Sequence, residues 1–384
     1  MTKLKLQRNY ILLFLYCLVL LALFAFSLTQ IDLSLTLSTD EFLYGMQQVF
    51  QQVGFFNRPF ATAWYVVLLC LYYLLYILIL MSSFSRSFSE KFLWITIGIT
   101  SGLAFSYPAF SYDVFNFMFY AKTIVVHNQN PYIVKPLDFA GIDPWLSFLH
   151  WTHRPSILPP LWTGITIVPY VLGFNKLLLI LWNFKILTTL FYIWAVYLLK
   201  KIAEIKYPKY VLPIMTFFAL NPLVVIESVV SGHLDIGMIS FSYLFLLLLL
   251  KKQKVYSFFA LALSVGIKYV TLVLSPLILT GFNRNFIVFL MLFGTMGVLA
   301  QIEMQPWYLL WTLPFLAFYP DKKWVWVMTI ALSFGLLLRY APYFYFGHWN
   351  DPVPYIKLLV TLGSVILGLM YLVGVFFSGK TRAR

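Results

Sequence analysis

An acidic residue stands where an apolar segment ends, in the stretch Phe110-Ser111-Tyr112-Asp113. The Asp113 carboxylate could be the general base that deprotonates an acceptor hydroxyl. It could equally be the N-cap of the helix that follows, because aspartate is a favoured N-cap residue. Tyr112 and Asn116 flank it, where they could orient a sugar or lie at a membrane interface.

A basic pair, His153-Arg154, comes shortly before the turn Leu158-Pro159-Pro160. An arginine can bind a phosphate through two parallel hydrogen bonds, and prolines fix the backbone that aims it. The alternative is an arginine that extends to a lipid headgroup while its stem stays in the apolar layer.

Three more ionisable residues, Glu227, His233 and Asp235, follow a break at Asn221-Pro222 in otherwise apolar sequence. Such groups are costly inside a membrane protein unless they are paired or functional. They could bind sugar hydroxyls, form a structural hydrogen-bond network, or ligate a divalent cation. Because no compact ligand spacing is present, we predict no metal site and no required cofactor.

Two further cations are candidates for a phosphate. Lys268, followed by Tyr269, interrupts an apolar stretch and could bind a lipid-linked phosphate or pair with Glu227 or Asp235. Arg339, near the end of a later apolar segment, is a second-choice candidate for binding the phosphate.

Composition indicates the class of protein. Of 384 residues, 61% are hydrophobic, 20% are aromatic and only 10% are charged, and the mean hydropathy is +0.85. Soluble domains carry roughly a quarter charged residues, so the chain is predicted to be a multi-pass membrane protein. Its net charge of +14 then reflects lysines and arginines in cytoplasmic loops and not a nucleic-acid partner. The two cysteines, Cys17 and Cys70, form neither a disulfide framework nor a metal motif.

Hydropathy predicts an all-α transmembrane bundle of about 11–12 membrane helices, since one crossing needs about 20 apolar residues. The predicted spans are 10–28, 61–81, 92–110, 177–199, 210–227, 236–250, 286–302, 307–320, 324–346 and 355–377. Segment 157–172 is short and rich in proline, which favours an interfacial or re-entrant helix. Segment 256–281 contains Lys268 and is predicted to form two half-helices. Short amphipathic helices are expected to lie at the membrane surface in the loop at 111–156.

The basic residues predict the sidedness of the membrane helices. Arg86 and Lys91 mark one cytoplasmic loop, and the lysines at 200–209 mark another. The loop at 111–156, with Asp113 and Arg154, then faces outward. We divide the chain into an amino-terminal hairpin with an outer loop (1–91), a catalytic membrane module (92–320) and carboxy-terminal membrane helices (321–384).

The order of these motifs resembles that of a known superfamily. The motifs are Ser111-Tyr112-Asp113, Asn130-Pro131-Tyr132, Pro159-Pro160-Leu161, Asn221-Pro222-Leu223, Glu227, Gly232-His233-Leu234-Asp235 and Lys268-Tyr269. Over residues 92–320 the set resembles the GT-C superfamily of polyprenyl-phosphate-dependent glycosyltransferases, in its prokaryotic mannosyltransferase-like branch. The chain departs from the superfamily pattern in that Asp113 follows the third span instead of the first, so that residues 1–91 look like an added hairpin.

The resemblance implies an inverting glycosyltransferase in a bacterial or archaeal plasma membrane. Its donor would be a polyprenyl-phosphate-linked sugar, with mannose as the first choice, and its acceptor a hydroxyl of a lipid, glycan or protein at the outer face. The resemblance gives Asp113 the role of the base or acceptor-orienting residue. Two other classes remain open at this point: a transporter with broken helices and a non-catalytic membrane assembly subunit.

Overall fold

The computed structural model describes residues 2–85 and 88–381, and within them the side chains of residues 8–85 and 88–377. Over these residues it is helical, without a strand, which confirms the predicted fold class. Arg86 lies outside the described residues. The helices of the first half are α1 (Thr2–Leu28), α2 (Glu41–Gly54), α3 (Arg58–Ser83), α4 (Glu90–Ser101), α5 (Asp113–Val125), α6 (Pro160–Val171) and α7 (Leu177–Lys206).

The second half is more interrupted. Its helices are α8 (Val211–Ala219), α9 (Pro222–Val225), α10 (Asp235–Leu250), α11 (Lys254–Ile267), α12 (Leu277–Thr280), α13 (Arg284–Leu299), α14 (Leu313–Leu316), α15 (Lys323–Leu338), α16 (Tyr340–Phe346) and α17 (Val353–Thr381). Short 3₁₀ helices occur at Gly102–Phe105, Pro136–Phe139, Pro144–Phe148, Pro208–Tyr210, Tyr269–Leu274 and Pro306–Trp311.

Five helical segments of the described chain are long and apolar enough to cross a membrane. They are Arg8–Leu28, Arg58–Ser83, Leu177–Lys206, Lys323–Phe346 and Val353–Phe377, and a sixth is possible if Pro208–Ala219 and Pro222–Val230, bent by 53°, form one span. Hydropathy predicted about 11–12 membrane helices. That number is higher because it also counted apolar segments too short for a full crossing. Four apolar helices have only 10–17 residues, and the predicted span 307–320 folds as a 3₁₀ helix followed by the single turn α14.

Proline and asparagine produce the break before Glu227. Pro222 has no backbone N–H and cannot continue a helix hydrogen-bond ladder, while the side chain of Asn221 accepts a bond from the Leu223 N–H at 3.0 Å. After α9 the chain forms a π-helical turn, Ile226–Val230, a form that often marks functional sites. Gly232 then adopts φ +73°, a conformation that glycine tolerates best. These turns carry Glu227 and His233 into the interior.

The expected half-helices around Lys268 are confirmed. α11 ends at Ile267, Lys268 is extended (φ −155°, ψ 125°), and a 3₁₀ helix starts at Tyr269. Segment 157–172, predicted to be interfacial or re-entrant, forms α6, whose 12 residues fall short of the roughly 20 that a crossing needs.

A buried ion pair holds the part of the 111–156 loop that follows α5 against that helix. The Nζ of Lys122 lies 2.6 Å from Asp143 Oδ2, and the Nε2 of His127 lies 2.8 Å from the same oxygen. Burial alone would raise the pKa of Asp143, but hydrogen bonds from Lys122, the Trp145 backbone N–H and His127 hold that pKa below its ordinary value. The part of the loop that follows α5 is therefore fixed to the carboxy-terminal end of that helix.

Candidate active site

Asp113 is the first residue of α5, and Tyr112 occupies the N-cap position. The Asp113 side chain accepts a hydrogen bond from the indole N–H of Trp151, at 2.9 Å between Nε1 and Oδ1. Its side chain is 24% exposed, and an acidic group in the first turn is stabilised by the helix dipole. Asp113 is thus an oriented carboxylate that a ligand can still reach.

A line of buried polar groups runs inward from Asp113. The Nδ1 of His233 lies 3.8 Å from Asp113 Oδ2, and His233 Nε2 lies 3.3 Å from Oε2 of the fully buried Glu227. The second contact is not aligned for a hydrogen bond, and both of its atoms lack a hydrogen-bond partner. The hydroxyl of Tyr340 donates to the other Glu227 oxygen at 3.0 Å, and the His233 ring stacks on Trp307 at 4.6 Å.

The electrostatics of this line favour a charged imidazole. Burial alone would lower the pKa of His233, but the neighbouring carboxylates of Glu227, Asp113 and Asp235 raise it above the ordinary value. His233 therefore lies between the Asp113 and Glu227 carboxylates, both of which favour its protonated form. It separates two carboxylates that would otherwise repel each other in a poorly solvated site.

Lys268 pairs with Asp235. Its Nζ lies 2.6 Å from Asp235 Oδ1, which also accepts a hydrogen bond from the Trp311 indole. The ammonium lies 4.8 Å from the centre of the Trp311 ring, a cation–π distance. The sequence left open whether Lys268 binds a phosphate or pairs with Glu227 or Asp235. The structure shows the pairing with Asp235.

We expect Lys268→Met to lower the melting temperature of the detergent-purified protein, because it leaves the buried Asp235 carboxylate without its cation. Removing one partner of a buried pair typically costs about 3–5 kcal/mol. Adding Asp235→Asn should recover much of the loss, since an amide still accepts the Trp311 hydrogen bond. Lys251→Met removes an exposed lysine and serves as the control. An unchanged melting temperature in Lys268→Met, with donor use lost, would contradict a structural role.

Trp151 connects Asp113 to the basic pair. The Arg154 guanidinium lies 4.7 Å from the centre of the Trp151 ring, and the His153 ring lies 6.3 Å from it. The Asn116 side-chain amide donates to the Trp151 carbonyl at 3.3 Å. A carboxylate and a guanidinium thus share one tryptophan as a common support. No sequence motif marked Trp151, which is one of 12 tryptophans.

Three sequence candidates lie in other surroundings. Tyr112 stacks its ring on His150 at 4.1 Å. Tyr269 is 60% exposed at the start of its 3₁₀ helix. Arg339 donates a hydrogen bond to Glu303 and so belongs to a separate ionic group.

Lys185 is a polar residue near the site that sequence reasoning missed. It is fully buried within α7, where Nζ donates to the Leu103 carbonyl at 3.1 Å, to Ser106 Oγ at 2.9 Å and to the Ser106 carbonyl. It therefore fixes the segment that leads to Asp113. A Cβ added at Gly232 would lie 3.5 Å from the Lys185 side chain. Lys185 therefore also packs against the turn that carries His233. A lysine inside a predicted span was the signal that could have identified it.

The arrangement is suited to removing a proton and stabilising a developing anion. Asp113 can accept a proton, and Arg154 can balance negative charge nearby. Among the described residues, no group of three or more His, Cys, Asp or Glu side chains is placed to hold a metal ion.

A family model matches the larger part of the chain. Residues 20–284 match the family model described as alpha-(1->6)-mannopyranosyltransferase, N-terminal domain. The matched range contains Asp113, Arg154, Glu227, His233 and Lys268, whereas Arg339 lies beyond it. No curated protein matches the chain, and no solved structure does.

Proposed function

Because this chain belongs to the family of alpha-(1->6)-mannopyranosyltransferases, we propose that it transfers mannose from a polyprenyl-phosphate donor to an acceptor hydroxyl. The match to the family and the apolar helices support a membrane mannosyltransferase. The observation that carries the finer proposal is that Asp113 and Arg154 both contact Trp151, the first through the indole N–H and the second over the ring. It brings a proton acceptor and a phosphate-binding cation into one site.

In the proposed reaction Asp113 is the general base. The acceptor oxygen attacks the anomeric carbon while its proton passes to an Asp113 oxygen, and the bond from that carbon to the phosphate oxygen breaks. A single displacement of this kind inverts the anomeric configuration. The Trp151 indole donates a hydrogen bond to one carboxylate oxygen, and His233 lies 3.8 Å from the other. The hydrogen bond limits the rotation of the carboxylate and keeps it oriented.

The departing phosphate gains negative charge, and we assign Arg154 to stabilise it. A guanidinium that is already in position needs little reorganisation when this charge develops, and stacking on Trp151 limits its movement. Lys268 ranks behind Arg154 as a phosphate ligand because Asp235 already offsets its charge.

The sugar is proposed to lie beside Trp151. We assign hydrogen bonds to mannose hydroxyls to Asn116, which contacts the Trp151 backbone, and to His153, whose ring lies 6.3 Å from the Trp151 ring. The proposal uses no cofactor, and it leaves a lipid, a glycan or a protein as the acceptor.

We further propose that the site faces outward from a bacterial or archaeal plasma membrane, as the basic loops indicate. In a variant that lacks Cys17 and Cys70, Ser147→Cys should react with an impermeant thiol reagent in intact cells. Ile205→Cys should stay unlabelled until the membrane is opened. Both positions are exposed, so the difference reports the side of the membrane. The reverse pattern would place the site in the cytoplasm.

The direct test is transfer of labelled mannose from a synthetic polyprenyl-phosphate donor by the purified protein in detergent. We expect product with this donor and with a mannoside acceptor present. Transfer from a nucleotide sugar alone would overturn the donor class. Retention of the anomeric configuration in the product would overturn the single displacement.

A further inference from the structure

A second ionic group lies outside the Asp113 site. Arg339 follows the last residue of α15, and Lys357 lies near the start of α17. Both reach the same carboxylate oxygen of Glu303: Lys357 Nζ is 2.6 Å from Oε1, and Arg339 Nη2 donates to it. We refer to Arg339 and Lys357 as the cationic pair.

The charges in this group do not balance. The side chains of Arg339 and Lys357 are only 9% and 6% exposed, whereas that of Glu303 is 53% exposed. Glu303 is their one ion-pair partner among the described residues, which leaves an excess positive charge in a buried position. Arg339 Nε also has no hydrogen-bond partner. The amino-terminal end of α17 adds further positive potential, so the group can accept another anion.

Glu303 is placed so that it can leave. It lies between α13 and the 3₁₀ helix Pro306–Trp311, in a stretch that has no regular helix. Its other oxygen accepts one long hydrogen bond, from the Gln305 side-chain amide at 3.4 Å. Because this carboxylate is half in solvent and on an irregular segment, a competing anion can reach its place, whereas the cationic pair is anchored at the end of α15 and in α17.

The surroundings point to a ligand from the bilayer. Only 11% of the apolar stretch of α17 is buried within the protein. Tyr355 and Leu358, near the start of this helix, are exposed. Lys357 lies 5.0 Å from the centre of the Trp349 ring, which stacks on Tyr343 at 4.4 Å. Tryptophan and tyrosine collect at the headgroup depth of a membrane. The cationic pair therefore lies beside an exposed apolar helix, next to aromatic residues of the kind that collect at headgroup depth.

We propose that Arg339 and Lys357 bind the phosphate headgroup of a membrane lipid, which takes the place of the Glu303 carboxylate. The planar guanidinium can bind two phosphate oxygens, and the ammonium adds a point charge. No covalent bond changes in this step. The site lies beyond the matched family region and does not depend on the proposed transfer reaction.

The test is a titration of the full chain in neutral detergent with short-chain phosphatidylglycerol, read from tryptophan fluorescence because Trp349 borders the cationic pair. Parallel titrations use short-chain phosphatidylcholine and inorganic phosphate. The variants are Glu303→Gln, Lys357→Met and Arg339→Met. Lys176→Met, which removes an exposed lysine elsewhere, is the matched control.

Glu303→Gln should tighten phosphatidylglycerol binding by about tenfold, because the competing carboxylate is gone. Lys357→Met and Arg339→Met should each weaken it by at least about tenfold, as expected for a lost charge-assisted hydrogen bond. Lys176→Met should change it less than about twofold. Weaker or unchanged binding in Glu303→Gln would overturn the proposal, and this exposed, uncharged replacement is the variant least disruptive to folding. Inorganic phosphate binding as tightly as the lipid would overturn the lipid assignment.

Discussion

Asp113→Asn is expected to lower the rate of mannose transfer by roughly 10²–10⁴-fold, the range that general base catalysis contributes. The amide has nearly the same shape and can still accept the Trp151 hydrogen bond, but it cannot take the acceptor proton. Donor binding and the melting temperature should therefore stay close to those of the unmodified protein. The measurement is the turnover of labelled polyprenyl-phosphate mannose at saturating acceptor, with the melting temperature of the same preparation.

Asp138→Asn is the matched control for this prediction. Asp138 lies in the same loop, where its carboxylate accepts the Lys135 backbone N–H at 2.9 Å in an exposed position. Its loss should affect turnover only weakly. Near-normal turnover in Asp113→Asn would remove Asp113 from the chemistry and leave it as a helix-terminal residue.

Arg154→Ala should produce the second large loss. A charge-assisted hydrogen bond contributes about 1.5–3 kcal/mol, and the loss is greater where a leaving group's developing charge depends on it. Arg154→Lys should recover only part of the rate, because lysine keeps the charge but lacks the planar fork that matches phosphate oxygens. The turnover number and the Michaelis constant for the donor should be measured separately for both variants.

Two comparisons make this prediction specific. Lys135→Ala removes another cation of the same loop and should leave turnover nearly unchanged. If Arg154 only anchors the loop to lipid headgroups, Arg154→Ala would lower the melting temperature in membranes and leave the turnover of folded protein intact. That result would contradict the assignment.

The sequence by itself determined the class of fold and several of its irregularities. Apolar segments of sufficient length predict membrane helices. The break before Glu227 followed from Asn221-Pro222, and the break at Lys268 followed from a charge within an apolar stretch. These predictions succeeded because helix length, proline and buried charge act locally. Five helical segments of the described chain, or six with the bent pair, are long enough for a full crossing, and four other apolar segments form helices of 10–17 residues.

The same local reasoning identified the ionisable residues of the candidate site. Charged groups in an apolar chain are costly, so Asp113, Glu227, His233, Asp235 and Lys268 stood out from their surroundings. Sequence analysis could not assign the partner of each group. For Lys268, it could not decide whether the partner is Glu227, Asp235 or a phosphate.

Only the tertiary structure decided the pairing. Trp151 reaches Asp113 across 38 residues of sequence, and Tyr340 reaches Glu227 across 113. Such contacts depend on the angles at which broken helices meet, and neither hydropathy nor spacing encodes those angles. The buried Lys185 and the link between Arg339 and Lys357 through Glu303 became visible for the same reason. The sequence determines which groups are costly to bury, whereas the packing of the helices determines which of them stabilise one another.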